Sequence, residues 1–226
     1  TYYDIAVIYA SEVGDYRLFR QYLREFLART REIDGEYLFA HKTLGEHSWQ
    51  LFLQATQPET MQHRLDEAEA HWLRAYDAAR ETQNITQLGE LEVSLSFINL
   101  NRGDRRAAIR YMHLALDHQI TSRLWLTARL AYQYTLSDEP NKALALLDTI
   151  GREAIQECLR YNTSWACENM IRRGRAAAFR KLKDFDSAVG ELEQAENAVL
   201  SEEHRNALRL PRIVAIDLAR TYDELG

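Results

Sequence analysis

The stretch Gly103-Asp104-Arg105-Arg106-Ala107-Ala108 breaks one helix and starts another. Beyond it Ile109, Tyr111, Met112, Ala115 and Leu116 fall at the three-and-four spacing of a single helical face. The pattern returns as Asp138-Glu139-Pro140-Asn141-Lys142-Ala143, followed by Leu146, Leu147 and Ile150. It returns again as Lys183-Asp184-Phe185-Asp186-Ser187-Ala188, followed by Leu192 and Ala195. A shorter copy, Leu65-Asp66-Glu67-Ala68, precedes Trp72 and Ala75, and Gly14-Asp15-Tyr16 leads into Phe19, Leu23 and Phe26. The aligned residues Phe19, Ala68, Ala108, Ala143 and Ala188 are 49, 40, 35 and 45 positions apart. A small residue at this point lets two helices approach closely, and the larger side chain four residues on fills the space against the next pair. One such pair cannot bury its apolar face alone, so neighbours must stack into a continuous core.

Helical periodicity fills the rest of the chain, and no comparable segment alternates at period two. Glycine and proline total only 12 of 226 residues, so long elements must carry most of the length. The breaks are short: Gly14-Asp15, Gly103-Asp104 and Ser137-Asp138-Glu139-Pro140. Two places depart from the rhythm. Gln54 to Arg64 is expected to lengthen the turn inside the second unit by about 11 residues relative to the others. Gly151 to Thr163 is expected to extend a helix between the fourth and fifth units.

The recurring pattern resembles the tetratricopeptide repeat (TPR) family, whose unit is a helix–turn–helix of about 34 residues. The family's Leu-Gly-x-x-Tyr step is echoed by Leu44-Gly45-Glu46-His47-Ser48, Leu130-Ala131-Tyr132-Gln133-Tyr134 and Leu218-Ala219-Arg220-Thr221-Tyr222. Its Ala-x-x-x-aromatic step is clearest from Ala68 to Trp72; elsewhere Met112, Leu147 and Leu192 replace the aromatic. The longer spacings, the missing closing proline and Arg175 at an apolar position depart from the family pattern. The looseness resembles repeats of bacterial signal-transduction ATPases and multidomain transcriptional regulators. The resemblance implies an all-α, right-handed α-solenoid of about five and a half TPR-like repeats. Its single domain would span 1-226, with units at 1-34, 35-83, 84-120, 121-160, 161-203 and an incomplete 204-226. Ile213, Ile216 and Leu218 would then need a following cover, so the chain is expected to be a fragment of a larger multidomain protein.

Chemistry is sparse. The net charge of −6 argues against whole-surface attraction to nucleic acid or anionic lipid, and no run approaches the length of a membrane span. Cys158 and Cys167 match neither a zinc site nor a redox pair and read as buried thiols in a reducing cytoplasm. None of His41, His47, His63, His71, His113, His118 and His204 forms a helical zinc pair. There is no phosphate-cradling glycine loop, nucleophile elbow or acid–base dyad, so neither an enzyme nor a cofactor is expected. Arg172, Arg173, Arg175, Arg180, Lys181 and Lys183 cluster within twelve residues. They read first as a solvated helix end with cations near its C-terminus. Alternatively, Arg172, Arg173, Arg180 and Lys181 form a patch for an anion or an acidic partner.

Two functions follow from the resemblance. The first is a non-catalytic scaffold or regulatory module whose concave groove binds a protein, a peptide segment or another domain of the same polypeptide. The alternative is a sensor domain taking a small-molecule effector; membrane binding is not expected and direct nucleic-acid binding is disfavoured. The repeat register places Lys42, Glu46 and Trp49, then Phe97 and Asn101, then Trp125, Arg129 and Tyr132 on the inner wall of the groove. Aromatic rings there, with charges at the margin, have the composition of interaction hot spots. Members that grip a C-terminal carboxylate use Lys and Asn on successive first helices. Lys42 suits that role, but Glu46 stands where Asn is expected, so an acidic chaperone-type tail should not bind.

Overall fold

A computed structural model describes residues 16–29, 35–118, 123–150, 164–200 and 209–225. They form ten helices and, among the described residues, no strand: α1 (Tyr16–Arg29), α2 (Gly35–Gln54), α3 (Pro58–Glu81), α4 (Ile85–Asn101), α5 (Arg105–His118), α6 (Arg123–Leu136), α7 (Pro140–Asp148), α8 (Ser164–Lys181), α9 (Phe185–Leu200) and α10 (Arg209–Leu225). The readings made for Gly14-Asp15, Gly151 to Thr163, Cys158, the Cys167 side chain and His204 fall outside the described residues.

The turns aligned in the sequence share one backbone conformation. Gly103, Asp138 and Lys183 all take positive φ, at 80°, 59° and 61°, and so does Gln83 before α4, at 51°. The residue that follows then caps the next helix. Asp104 Oδ1 accepts from the Ala107 amide at 3.0 Å, Asp184 Oδ1 from Ser187 at 3.2 Å and Asn84 Oδ1 from Gln87 at 3.2 Å. Before α7 the cap is Glu139, which makes no side-chain bond; Pro140 at the first helical position has no N–H to satisfy there. Such short turns return each helix alongside its predecessor.

Two compact units result, Thr1–Arg102 and Gly103–Gly226. In the first, Phe19, Leu23 and Phe26 of α1 pack on Ala40 and Leu44 of α2. The indole of Trp72 on α3 sits against Gly45 of α2, so close that a Cβ there would fall 2.4 Å from the ring. In the second, Ala128 and Ala131 of α6 meet Ala143 and Leu147 of α7 and Ala178 of α8. Ala176 of α8 packs with Ala188 and Leu192 of α9, and Leu218 of α10 closes against them. The aligned residues Phe19, Ala68, Ala108, Ala143 and Ala188 are all buried, as are the side chains four positions on: Leu23, Trp72, Met112, Leu147 and Leu192.

One sequence expectation is corrected. The stretch from Gln54 to Arg64 is not a long turn: α2 runs to Gln54, α3 starts at Pro58, and only Ala55 to Gln57 connect them. Pro58 in the first turn of α3 sets a helical φ without losing a hydrogen bond, so the extra residues become added turns of helix.

Candidate functional site

In the second unit three helices, α6, α8 and α10, with Leu192 of α9, line one groove of about 860 Å³. The α6 wall is the stripe Trp125, Arg129 and Tyr132, spaced four and three apart so that all three share one face. The Arg129 guanidinium lies 5.3 Å from the Trp125 ring centroid, a cation–π arrangement, and Tyr132 is 43% exposed. On α8, Asn169, Arg173 and Arg180 line the groove, with Gly174 and Ala177 keeping side-chain bulk low between them. Asp217, Arg220 and Glu224 come from α10.

The charges are arranged rather than scattered. Arg173 Nε donates to Asp217 at 2.7 Å, the Arg180 guanidinium donates to Glu224, and Lys181 donates to Asp138 at 2.7 Å. The hydrogen bond and charge of Arg180 hold the Glu224 carboxyl below the usual carboxylate range, and Lys181 does the same for Asp138. Arg129, Arg173, Arg180, Lys181 and Arg220 face only Asp217 and Glu224 among the lining residues, so the groove is cationic in a chain of net charge −6. Asn169 is buried, and its Nδ2 donates to the Ala195 carbonyl at 3.1 Å. Its Oδ1 has no partner, which leaves a desolvated acceptor at the groove wall.

The structure thus brings Trp125, Arg129 and Tyr132 into one groove with Arg173, Arg180 and Lys181, two sets that the sequence kept apart. Arg172 is not among the lining residues; it bridges Glu168 at 2.6 Å and Glu191 at 3.1 Å. Arg175 reaches Asp148 at 2.5 Å and Glu191 at 3.5 Å, which explains how an arginine stands where an apolar residue was expected. The signal for Asn169 was present in the sequence, since it precedes Arg173 by one turn, the spacing that joins Trp125 to Arg129. Asp217 and Glu224 had no such signal, because only packing brings α10 alongside α8.

The remaining wall residues belong to the first unit. Lys42 pairs with Glu90 and lies 4.0 Å from Glu46. Although about half of the Glu46 side chain meets solvent, the surrounding helices desolvate its carboxyl and raise its pKa; Glu90 adds to the rise and Lys42 opposes it. Trp49 stacks on Phe52 at 5.0 Å and on Phe97 at 6.3 Å, and meets Trp72 at 5.9 Å. Half-buried among three rings, Trp49 is part of the packing of its own unit. Asn101 is exposed, and its Nδ2 donates to the Phe97 carbonyl at 2.8 Å. Among the described residues no three His, Cys, Asp or Glu side chains gather as a metal site, and no helix is long and apolar enough to cross a membrane.

No protein-family model matches this chain, and no curated protein matches it. The solved structures that match it include two of the same repeat protein, each matched along most of its length. One shows the nearly identical TPR-like repeats of a kinesin light chain-like protein from Podosopora anserina, with a TM-score of 0.64 at 15% identity, covering 91% of this chain and 96% of that one. The other, a single-substitution variant described in the same words, has a TM-score of 0.65 at 14% identity, covering 89% of this chain and 94% of that one. At such identities the likeness is one of fold. The chain is an all-α solenoid of TPR-like helix–turn–helix repeats.

Proposed function

We propose that the chain is a non-catalytic protein- or peptide-binding module and that the groove between α6, α8 and α10 is its recognition surface. The observation that carries this reading is the convergence, in that groove, of the Trp125–Arg129–Tyr132 stripe, the α8 arginines and the unpartnered Asn169 acceptor. A peptide segment is complementary to a groove that carries an unpartnered buried acceptor, a net positive charge and an exposed ring, Tyr132. It has an N–H for Asn169 Oδ1, a carboxylate for the guanidiniums and apolar surface for the rings. The reading includes a regulatory setting, resting on the resemblance to repeats of multidomain regulators, and a cytoplasmic one, resting on the sparse cysteine usage.

The test is selection of peptides from a random displayed library on the intact chain, followed by calorimetry. Enriched peptides should lose at least tenfold in affinity on Tyr132→Ala and on Arg129→Gln, about 1.4 kcal/mol or more each. The melting temperature should hardly change, because both side chains are exposed. An acidic chaperone-type C-terminal peptide should not be gripped by Lys42, which is already held by Glu90, so Lys42→Ala should leave the affinity of any such peptide unchanged. Failure to enrich any sequence, or affinities indifferent to both substitutions, overturns the assignment. Binding of small metabolites alone would favour the sensor reading instead.

A further inference from the structure

The first helix of a repeat carries a small residue where the second helix of that repeat lands. In α2 it is Gly45, which the Trp72 indole of α3 covers. In α6 it is Ala131, packed with Ala143 and Leu147 of α7. In α8 it is Ala176, packed with Ala188 and Leu192 of α9. All three small residues are buried. In the last two pairs the aromatic three residues on, Tyr134 or Phe179, is packed against the same cluster.

Helix α10 repeats the same step without the cover. Leu218-Ala219-Arg220-Thr221-Tyr222 aligns with Leu130-Ala131-Tyr132-Gln133-Tyr134, so Ala219 stands where Ala131 does and Tyr222 where Tyr134 does. One face of α10 is inward: Val214 and Thr221 are fully buried, and Leu218 packs against Ala176, Ala188 and Leu192. The other face carries Ala215, Ile216, Ala219 and Tyr222, at the spacing of a single apolar stripe. All four are exposed, Ile216 by 53% and Tyr222 by 52%. The stripe continues the row of helix-pair interfaces, since Ala219 adjoins Leu218 at the edge of the α8–α9 core.

We propose that this face of α10 docks an amphipathic helix of a partner protein, one that presents an alanine and, four residues on, a leucine. The equivalent faces set that chemistry, because Ala143 with Leu147 and Ala188 with Leu192 are what cover them. A small residue on each side lets the two helices approach closely, and the exposed Ile216 and Tyr222 supply apolar area at either end of the contact. A second copy of this chain has no such helix to lend. Among the described residues Phe19 and Leu23, Ala68 and Trp72, Ala108 and Met112, Ala143 and Leu147, and Ala188 and Leu192 are all buried within their own chain. The surface is separate from the groove proposed above, to which α10 contributes Asp217, Arg220 and Glu224 instead.

Fluorescence anisotropy with the intact chain and a labelled peptide of residues 183–200 tests it. That peptide carries Ala188 and Leu192, which already cover Ala176, the alanine equivalent to Ala219. Away from its neighbours such a helix is marginal in water, so a lactam joins Glu193 to an Asn197→Lys substitution, both at exposed positions. The stapled peptide should bind saturably, and Leu192→Glu in the peptide should abolish binding. In the chain Ala219→Arg should weaken binding at least tenfold, while Arg106→Gln on α5 should leave it unchanged. Because Ala219 is exposed, its substitution should not move the melting temperature; if it does, Tyr222→Ser is measured instead, with the same expected weakening. The proposal is overturned if the stapled peptide does not bind or if its Leu192→Glu form binds equally. Equal binding to the parent and Ala219→Arg chains, the result of displacing α9 rather than covering α10, also overturns it. So does sedimentation of the parent chain as a dimer that Ala219→Arg dissociates, which would make a second copy the occupant.

Discussion

At the scale of single residues, two kinds of glycine position separate. At Gly45 the missing side chain is what admits the Trp72 indole, which also donates from Nε1 to the Lys42 carbonyl at 3.3 Å. Gly45→Ala should destabilise the protein by about 1–3 kcal/mol through overpacking, seen as a lower urea midpoint. Gly190 in α9 has nothing within 4 Å of where a Cβ would stand. Gly190→Ala should therefore raise the midpoint slightly, by about 0.5–1 kcal/mol. An unchanged midpoint for Gly45→Ala would show that α2 and α3 can yield without cost. Lys183 gives the converse case. It is exposed, holds φ at 61° and occupies the turn position that Gly103 fills in another repeat. Relieving the left-handed strain by Lys183→Gly should stabilise by up to about 1 kcal/mol, and a lower unfolding midpoint would contradict it.

Between elements, the contact of α2 with α3 carries a pH dependence. His41 Nδ1 and His71 Nδ1 lie 2.8 Å apart, so one ring must accept the proton that the other donates, and both cannot be cationic. Burial, then the charges of His71 and Arg74, lower the His41 pKa from 6.5 to about 4. His71 is lowered too, chiefly by burial. In the unfolded chain His41 returns to about 6.5, so between these values the unfolded state binds more protons. The stability linked to neutral His41 is therefore complete above about pH 6.5 and is lost as the pH falls towards 4. From pH 7 to pH 5 the loss from His41 alone should be roughly 2 kcal/mol by linkage. Urea unfolding at the two values measures it, and His41→Gln should flatten the difference. Equal pH dependence in the variant and the parent would remove His41 as its source. The same pair of helices also shows why the Gln54 to Arg64 reading failed. Composition there is polar on all sides, which looks like a loop until Pro58 starts a helix and Leu65, Ala68 and Trp72 anchor it.

Over the whole molecule, the repeat was legible because its physics is local. A helix face, a left-handed turn residue and a small buried alanine each lie within a few neighbours in sequence and recur at Ala108, Ala143 and Ala188, with a capping aspartate before the first and last of these. Those features are enough to specify an all-α solenoid of TPR-like repeats. The stripe Trp125, Arg129 and Tyr132 was legible for the same reason, since one helix places all three on one face. The sites themselves depend on elements far apart in the chain. Asp217 and Glu224 reach Arg173 and Arg180 across 44 residues, Glu67 joins Arg24 across 43, and His41 finds His71 across 30. No periodicity encodes such pairs, because their geometry is set by how neighbouring helices dock. Helix docking also placed Trp49 among Phe52, Trp72 and Phe97 and left Asn169 with a buried acceptor in the groove. Short-range patterning therefore accounts for the architecture. The charge-lined groove arises from packing, because burial and ion pairing are properties of assembled helices rather than of any one of them.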